Sequence, residues 1–128
     1  MLWLLDTTIL IDYLKGTSVR ERVNAFAQTN DFVCTTAINV EELYRGLRPK
    51  ELKAAERLIE GLAVVPLGAV EGRRAGTWRR EFAAKGFTLS QPDCLIAAAA
   101  WSSGAVLATG NPKDFPFKEV TVENWPSG

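Results

Sequence analysis

The chain has 128 residues, 15 Lys+Arg against 15 Asp+Glu, 47% hydrophobic residues, two cysteines and no histidine. A chain of this length buries roughly two-thirds of the surface its unfolded form exposes, which excludes disorder and any need for disulfide or metal staples. The missing histidine excludes Ser-His-Asp triads, Cys-His nucleophile pairs, His-dependent zinc sites and paired-His ribonuclease chemistry, and a formal net charge of zero excludes a general basic coat, so affinity for phosphate must be local.

In chain order, the opening Met-Leu-Trp-Leu-Leu-Asp lacks a basic n-region and is not expected to act as a signal peptide. Apolar runs predict strands at Leu2–Leu5, 32–34, 63–65, 105–108 and, more weakly, 120–122. Between them, 3.6-residue periodicity predicts helices at 8–14, 19–28, 37–47, 50–60, 70–84 and 92–102. Strand alternating with helix predicts an α/β domain with a parallel sheet covered on both faces. Breaks at Lys15-Gly16-Thr17, Arg48-Pro49, Gly68, Lys85-Gly86 and Ser103-Gly104 are all short, so residues 1–128 are expected to form a single domain without internal repeats. The longest apolar run, residues 94–101, is eight residues, against the ~20 that span a bilayer. Cys34 and Cys94 form no CxxC pair, so a reduced, cytoplasmic context with both thiols in the core is expected.

Three helices carry more detail. In 37–47, Val40, Leu43, Tyr44 and Leu47 share a core stripe, Glu41 is spaced to pair with Arg45, and Glu42 flanks the stripe beside Asn39 and Gly46. In 70–84, Ala75, Trp78 and Phe82 form the buried stripe; residues 72–86 carry a net charge of +4, with Arg73 and Arg80 on the far side as a phosphate-binding track or a solvated face. A second basic stretch, Arg45, Arg48, Lys50, Lys53 and Arg57, admits the same two readings. The helix 92–102 is apolar nearly all round and therefore buried, with Asp93 as its only charge.

With histidine absent, carboxylates are the remaining candidates for chemistry, because clustered acids hold Mg²⁺ or Mn²⁺ through oxygen. Ligands of open α/β sheets bind beyond the carboxyl ends of the strands. Asp6 follows the first strand, Asp114 follows the fourth within Thr109-Gly110-Asn111-Pro112-Lys113-Asp114-Phe115, and Glu42 and Asp93 lie near the starts of helices that begin at the same edge. Each acid also has a structural reading: Asp6 as a helix cap, Asp93 as the end of a capping box opened by Ser90, Glu42 as a solvated helical acid, Asp114 as a turn residue.

Asp6-Thr7-Thr8 after a strand, Glu42-Leu43 with Gly46 in a helix, Asp93 before Ile96-Ala97-Ala98-Ala99, and Thr109-x-Asn111-x-x-Asp114-Phe115 together resemble the motifs of PIN-domain ribonucleases. The likeness is to the VapC toxins of toxin–antitoxin pairs, and it runs from Leu2 to Trp125. The ordered set carries the resemblance, since each motif alone is short.

That resemblance implies a three-layer α/β/α PIN-like domain with a central parallel sheet of four or five strands. It implies that Asp6, Glu42, Asp93 and Asp114 line one acidic pocket and hold Mg²⁺, which Mn²⁺ can replace, with Thr8 and Asn111 assisting. The implied activity is endonucleolytic hydrolysis of RNA, inhibiting growth or translation when the protein is free of its antitoxin. The implied assembly is a homodimer with a VapB-type antitoxin, and Leu43, Leu47, Leu58 and Leu62 are candidates for the receiving groove. Gly110 departs from the family's larger polar or basic residue. Two rivals remain: a non-catalytic PIN-like module that binds RNA or protein, and another Mg²⁺-dependent phosphoryl-transfer hydrolase, whose usual second Asp two residues after the first is here Thr8.

Overall fold

A computed structural model describes residues 1–126. Five strands, β1 (Leu2–Leu5), β2 (Phe32–Thr35), β3 (Ala63–Val64), β4 (Val106–Thr109) and β5 (Val122–Asn124), form one sheet in the order β3-β2-β1-β4-β5. Every pairing is parallel, with Trp3 opposite both Val33 and Val106. The α-helices among the described residues are α1 (Thr7–Lys15), α2 (Ser18–Asn24), α3 (Ala37–Arg45), α4 (Leu52–Glu60), α5 (Ala69–Ala84) and α6 (Gln91–Ser103).

Period-two alternation divides the core. Leu4 and Leu107 face α5 and α6, packing with Ala75, Trp78 and the run Ile96 to Ala100. Their neighbours Leu5 and Ala108 face the other way, onto Ile9, Leu10, Leu43, Ala55 and Leu58 of α1, α3 and α4. Leu4, Leu5 and Leu107 are fully buried, a state worth ~1.5–3 kcal/mol for each such side chain. The four consecutive alanines of α6 are buried too, and their small side chains let the helix lie close on the sheet. The result is the three-layer α/β/α arrangement with five strands.

The predicted elements are all present, with local differences. Residues 19–28 divide into α2 and a 3₁₀ turn, Ala25–Gln28; the tighter winding accompanies the insertion of Phe26 against Trp3, with ring centroids 5.4 Å apart. The last strand begins two residues later than expected, because Val120 plugs the core at the end of a turn closed by its N–H on the Phe117 carbonyl. Tyr44 is not on the buried stripe of α3: it is exposed, and the fully buried Asn39 stands there instead, one turn before Leu43. Gly16 and Gly104 end α1 and α6 at φ +76° and +73°, a left-handed backbone that favours glycine. Cys34 and Cys94 are buried free thiols, each pushed up to about 11 by burial. Among the described residues no helix is long and apolar enough to cross a membrane.

Candidate active site

The strand order places the site. From β1 the chain steps to β2 and β3 on one side, then crosses back to β4 and β5 on the other, so the switch point lies between the carboxyl ends of β1 and β4. Asp6 stands there, its N–H donating to the Ala108 carbonyl at 3.0 Å. It occupies the N-cap of α1, yet its carboxylate makes no cap hydrogen bond. Instead Oδ2 accepts from Thr109 Oγ1 at 2.7 Å and Thr8 Oγ1 at 3.4 Å, and Oδ1 accepts from Asn39 Nδ2 at 3.3 Å. The cap reading of Asp6 therefore fails, and three elements, β4, α1 and α3, converge on its carboxylate.

Each remaining acid is carried by its own element. On α3, Glu42 is half-buried, and its Oε1 accepts from Thr7 Oγ1 at 2.6 Å. Glu41, the next residue, points to solvent and pairs with Arg45, whose Nε donates to Oε2 at 3.0 Å. Asp93 sits in the first turn of α6, where its own N–H donates to the N-cap hydroxyl of Ser90 at 3.2 Å. Asp114 is exposed at the end of the 3₁₀ turn Pro112–Asp114.

The acids interact across these elements. Burial is the largest influence raising the Asp6 carboxyl above its ordinary value; hydrogen bonds from Thr109 and Thr7 oppose it, and the charges of Asp93 and Glu42 add to it. Asp93 is likewise raised, first by burial and then by Asp114 and Glu42, against a lowering bond from Ser90. All four carboxylates thus belong to one field of like charge, which a cation offsets. As the side chains stand, no three acids among the described residues gather closely enough to share one ion. The oxygen donor set suits Mg²⁺ or Mn²⁺ in kind.

Thr8 and Asn111 sit beside Asp6 as backbone organisers. Thr8 Oγ1 accepts from the Gly110 N–H at 2.9 Å, and the Asn111 N–H donates to Thr109 Oγ1 at 3.0 Å. A Cβ on Gly110 would meet Thr8 Oγ1 at 3.4 Å, an ordinary van der Waals contact, so the backbone here does not require glycine. Arg73 and Arg80 are exposed on α5. Arg73 lines a groove with Val70, Arg74, Thr77 and Trp101, toward the opposite end of α6 from Asp93. In the second basic stretch, Arg45 and Arg48 are taken up by Glu41 and Glu51.

Sequence reading missed Thr7, Asn39 and Thr109 as ligand-holding groups. The available signal was a polar Asn at a core position of α3, which becomes meaningful only once Asp6 is seen opposite it.

Because the Asp6 and Asp93 carboxyls are raised in the folded state, the stability they contribute is complete below the unfolded carboxyl range and is lost as pH rises through their folded values. Glu71 and Glu119 are lowered, first by bonds to Ser102 and Trp78 respectively, and act oppositely, their contribution being lost as pH falls below the ordinary glutamate range. Metal-free protein is therefore expected to melt at a higher temperature near pH 5 than at pH 7.5. A melting temperature that stays flat or rises from pH ~5 to pH ~7.5 contradicts the crowding of these acids.

Comparison with known proteins places the chain in context. The PIN domain family model matches residues 3–122. Ribonuclease VapC10 of Mycobacterium tuberculosis is 30% identical over 116 residues, 91% of this chain and 87% of the relative. The DNA-bound VapBC structure from Salmonella typhimurium is 30% identical with TM-score 0.83, covering 98% of this chain and 99% of that one. A toxin–antitoxin complex from Klebsiella pneumoniae is 25% identical with TM-score 0.72, covering 96% and 98%. With Asp6 at the switch point of a five-stranded parallel sheet and a family match spanning nearly its whole length, the chain belongs to the PIN domain family.

Proposed function

We propose that this protein is an endoribonuclease dependent on Mg²⁺ or Mn²⁺, acting as the toxin of a toxin–antitoxin pair. The supporting observation is the Asp6 carboxylate at the switch point, held by Thr109 and linked through Asn39 and Thr7 to Glu42, in a chain without histidine. Relatives of matching length bear ribonuclease names.

In this reading Asp6, Glu42, Asp93 and Asp114 would draw together from their present positions to hold the cation. Such an ion supplies a lowered pKa for water and a positive charge facing the phosphate oxygens. The chain's own groups do the rest. Thr109, Thr8 and Asn39 keep the Asp6 carboxylate oriented and ionised by donating to it, Thr7 does so for Glu42, and Ser90 opposes protonation of Asp93. Exposed Asp114 and Asn111 border the solvent side, where RNA arrives. We place RNA phosphates along the exposed face of α5 through Arg80, with Arg73 reached only by RNA extending past the ~12 Å of helix that separates Asp93 from Trp101.

The protein acts as a homodimer, and its antitoxin lies in the apolar groove between α1 and α3. Ile11, Leu14, Leu43 and Leu47 line that groove, and Glu42 borders it, so an occupant obstructs the acids. Leu58 and Leu62 belong elsewhere: they are buried and border a separate groove with Phe32 and Phe26.

The test is incubation of purified protein with RNA in EDTA, Mg²⁺ or Mn²⁺. Cleavage is expected only with a divalent ion, leaving 5′-phosphate and 3′-hydroxyl ends. Undiminished cleavage in EDTA, or 2′,3′-cyclic phosphate ends, contradicts the reading.

A further inference from the structure

Thr7 and Asn39 form a directed chain of donors beneath two of the acids. Asn39 is fully buried at the third residue of α3. Its Oδ1 accepts from the Thr36 N–H at 3.3 Å and from Thr36 Oγ1 at 2.7 Å. A backbone N–H can only donate, so the amide orientation is settled: Oδ1 faces Thr36 and the NH₂ faces the acids. One N–H of that NH₂ goes to Asp6 Oδ1 at 3.3 Å and the other to Thr7 Oγ1 at 2.9 Å. With its acceptor side taken, the Thr7 hydroxyl turns its proton to Glu42 Oε1 at 2.6 Å.

The polarity of this chain therefore runs from the cap of α3 to two carboxylates on different elements. It engages Oε1 of Glu42, while no hydrogen bond to Oε2 is found among the described residues. One oxygen held by the protein and one open is the condition of a carboxylate oriented for a metal by an outer hydrogen bond.

We propose that Thr7 is a positioning residue: its hydroxyl, directed by the Asn39 amide, fixes Glu42 for the divalent cation and couples that acid to Asp6. This rests on the reading of Asp6 and Glu42 as cation ligands.

Variants of Asn39 confuse positioning with folding, because the same side chain caps α3 and is fully buried. Thr7 separates the two. Thr7→Val keeps the shape and removes the hydroxyl, whereas Thr7→Ser keeps the hydroxyl and removes the methyl.

The experiment titrates Mn²⁺ calorimetrically into metal-free wild type and both variants, and measures kcat and KM for RNA in parallel. Melting of the metal-free proteins checks the fold. Thr7→Val is expected to weaken Mn²⁺ binding about 10–100-fold and to lower kcat with KM for RNA unchanged, while Thr7→Ser stays close to wild type. Wild-type Mn²⁺ affinity in Thr7→Val overturns the proposal, as does a loss in Thr7→Ser equal to that in Thr7→Val, which would point to packing by the methyl. If wild type binds Mn²⁺ but does not cleave RNA, the ribonuclease reading fails and the Mn²⁺ comparison still decides the role of Thr7; if wild type binds no Mn²⁺, both fall.

Discussion

Glu42→Gln is expected to lower the rate of RNA cleavage at least ~100-fold, the scale at stake when a preorganised electrostatic contact is removed, while Glu41→Gln leaves it nearly unchanged. The two acids are adjacent in sequence and face apart on α3. Glu41 is exposed and tied to Arg45 one turn on, an arrangement whose loss costs little at a surface. Glu42 receives the Thr7 hydroxyl at 2.6 Å, and its charge helps to raise the Asp6 and Asp93 carboxyls. Glutamine preserves the shape of each side chain and removes only its charge, so the comparison isolates the electrostatic role. Cleavage rates of the two variants at saturating Mn²⁺, with wild type alongside, provide the measurement. Equal losses, or a greater loss in Glu41→Gln, would mean that the acids on α3 do not have separate roles.

Asp93→Asn is expected to leave metal-free protein at least as stable as wild type while removing much of the stabilisation that Mn²⁺ confers. The Asp93 carboxyl is raised by burial and by the like charges of Asp114 and Glu42, so at neutral pH its ionised form carries a cost that a neutral amide avoids. Its contribution to the cap of α6 runs chiefly through its backbone N–H on Ser90 Oγ, and asparagine keeps that group. Mn²⁺ stabilises wild type by RT ln(1 + [L]/Kd), about 2.7 kcal/mol at a hundred times Kd; a weaker ligand set reduces this directly. If the carboxylate served only the helix start, its loss would cost up to ~1 kcal/mol with or without metal. Thermal melts of both proteins in EDTA and in Mn²⁺ distinguish these outcomes: an equal destabilisation in both conditions counts against a cation site.

Much of the architecture was legible in local pattern. Strand alternates with helix from Leu2 onward, and each short break ends an element close to where the structure ends it. The i, i+4 spacing of Glu41 and Arg45 announced their ion pair, because neighbours on a helix surface are set by 3.6-residue geometry alone. The burial of α6 followed from its lack of polar residues, and the charge of Asp93 stood out for the same reason. Boundaries were less legible where packing overrides periodicity, as at the 3₁₀ turn after α2, where Phe26 enters the aromatic group with Trp3 and Trp125.

By itself the sequence determined the kind of chemistry and the acids available for it: no histidine, Asp6 at a strand end, Asp93 alone on an apolar helix, and an ordered set of PIN-like motifs. Hydrophobic periodicity is local, and so is the edge at which each helix begins. Only the tertiary structure decided which groups hold the acids in place, because those bonds join residues far apart in the chain: Thr109 to Asp6, Asn39 to Asp6 and Thr7, Thr7 to Glu42. Threonine and asparagine have no periodicity that marks such a role, and their hydroxyl and amide protons acquire direction only when parallel pairing of β1 with β2 and β4 brings their elements together. The same closeness raises the carboxyl pKa values of Asp6 and Asp93, since burial and like-charge repulsion depend on distance through space and not along the chain.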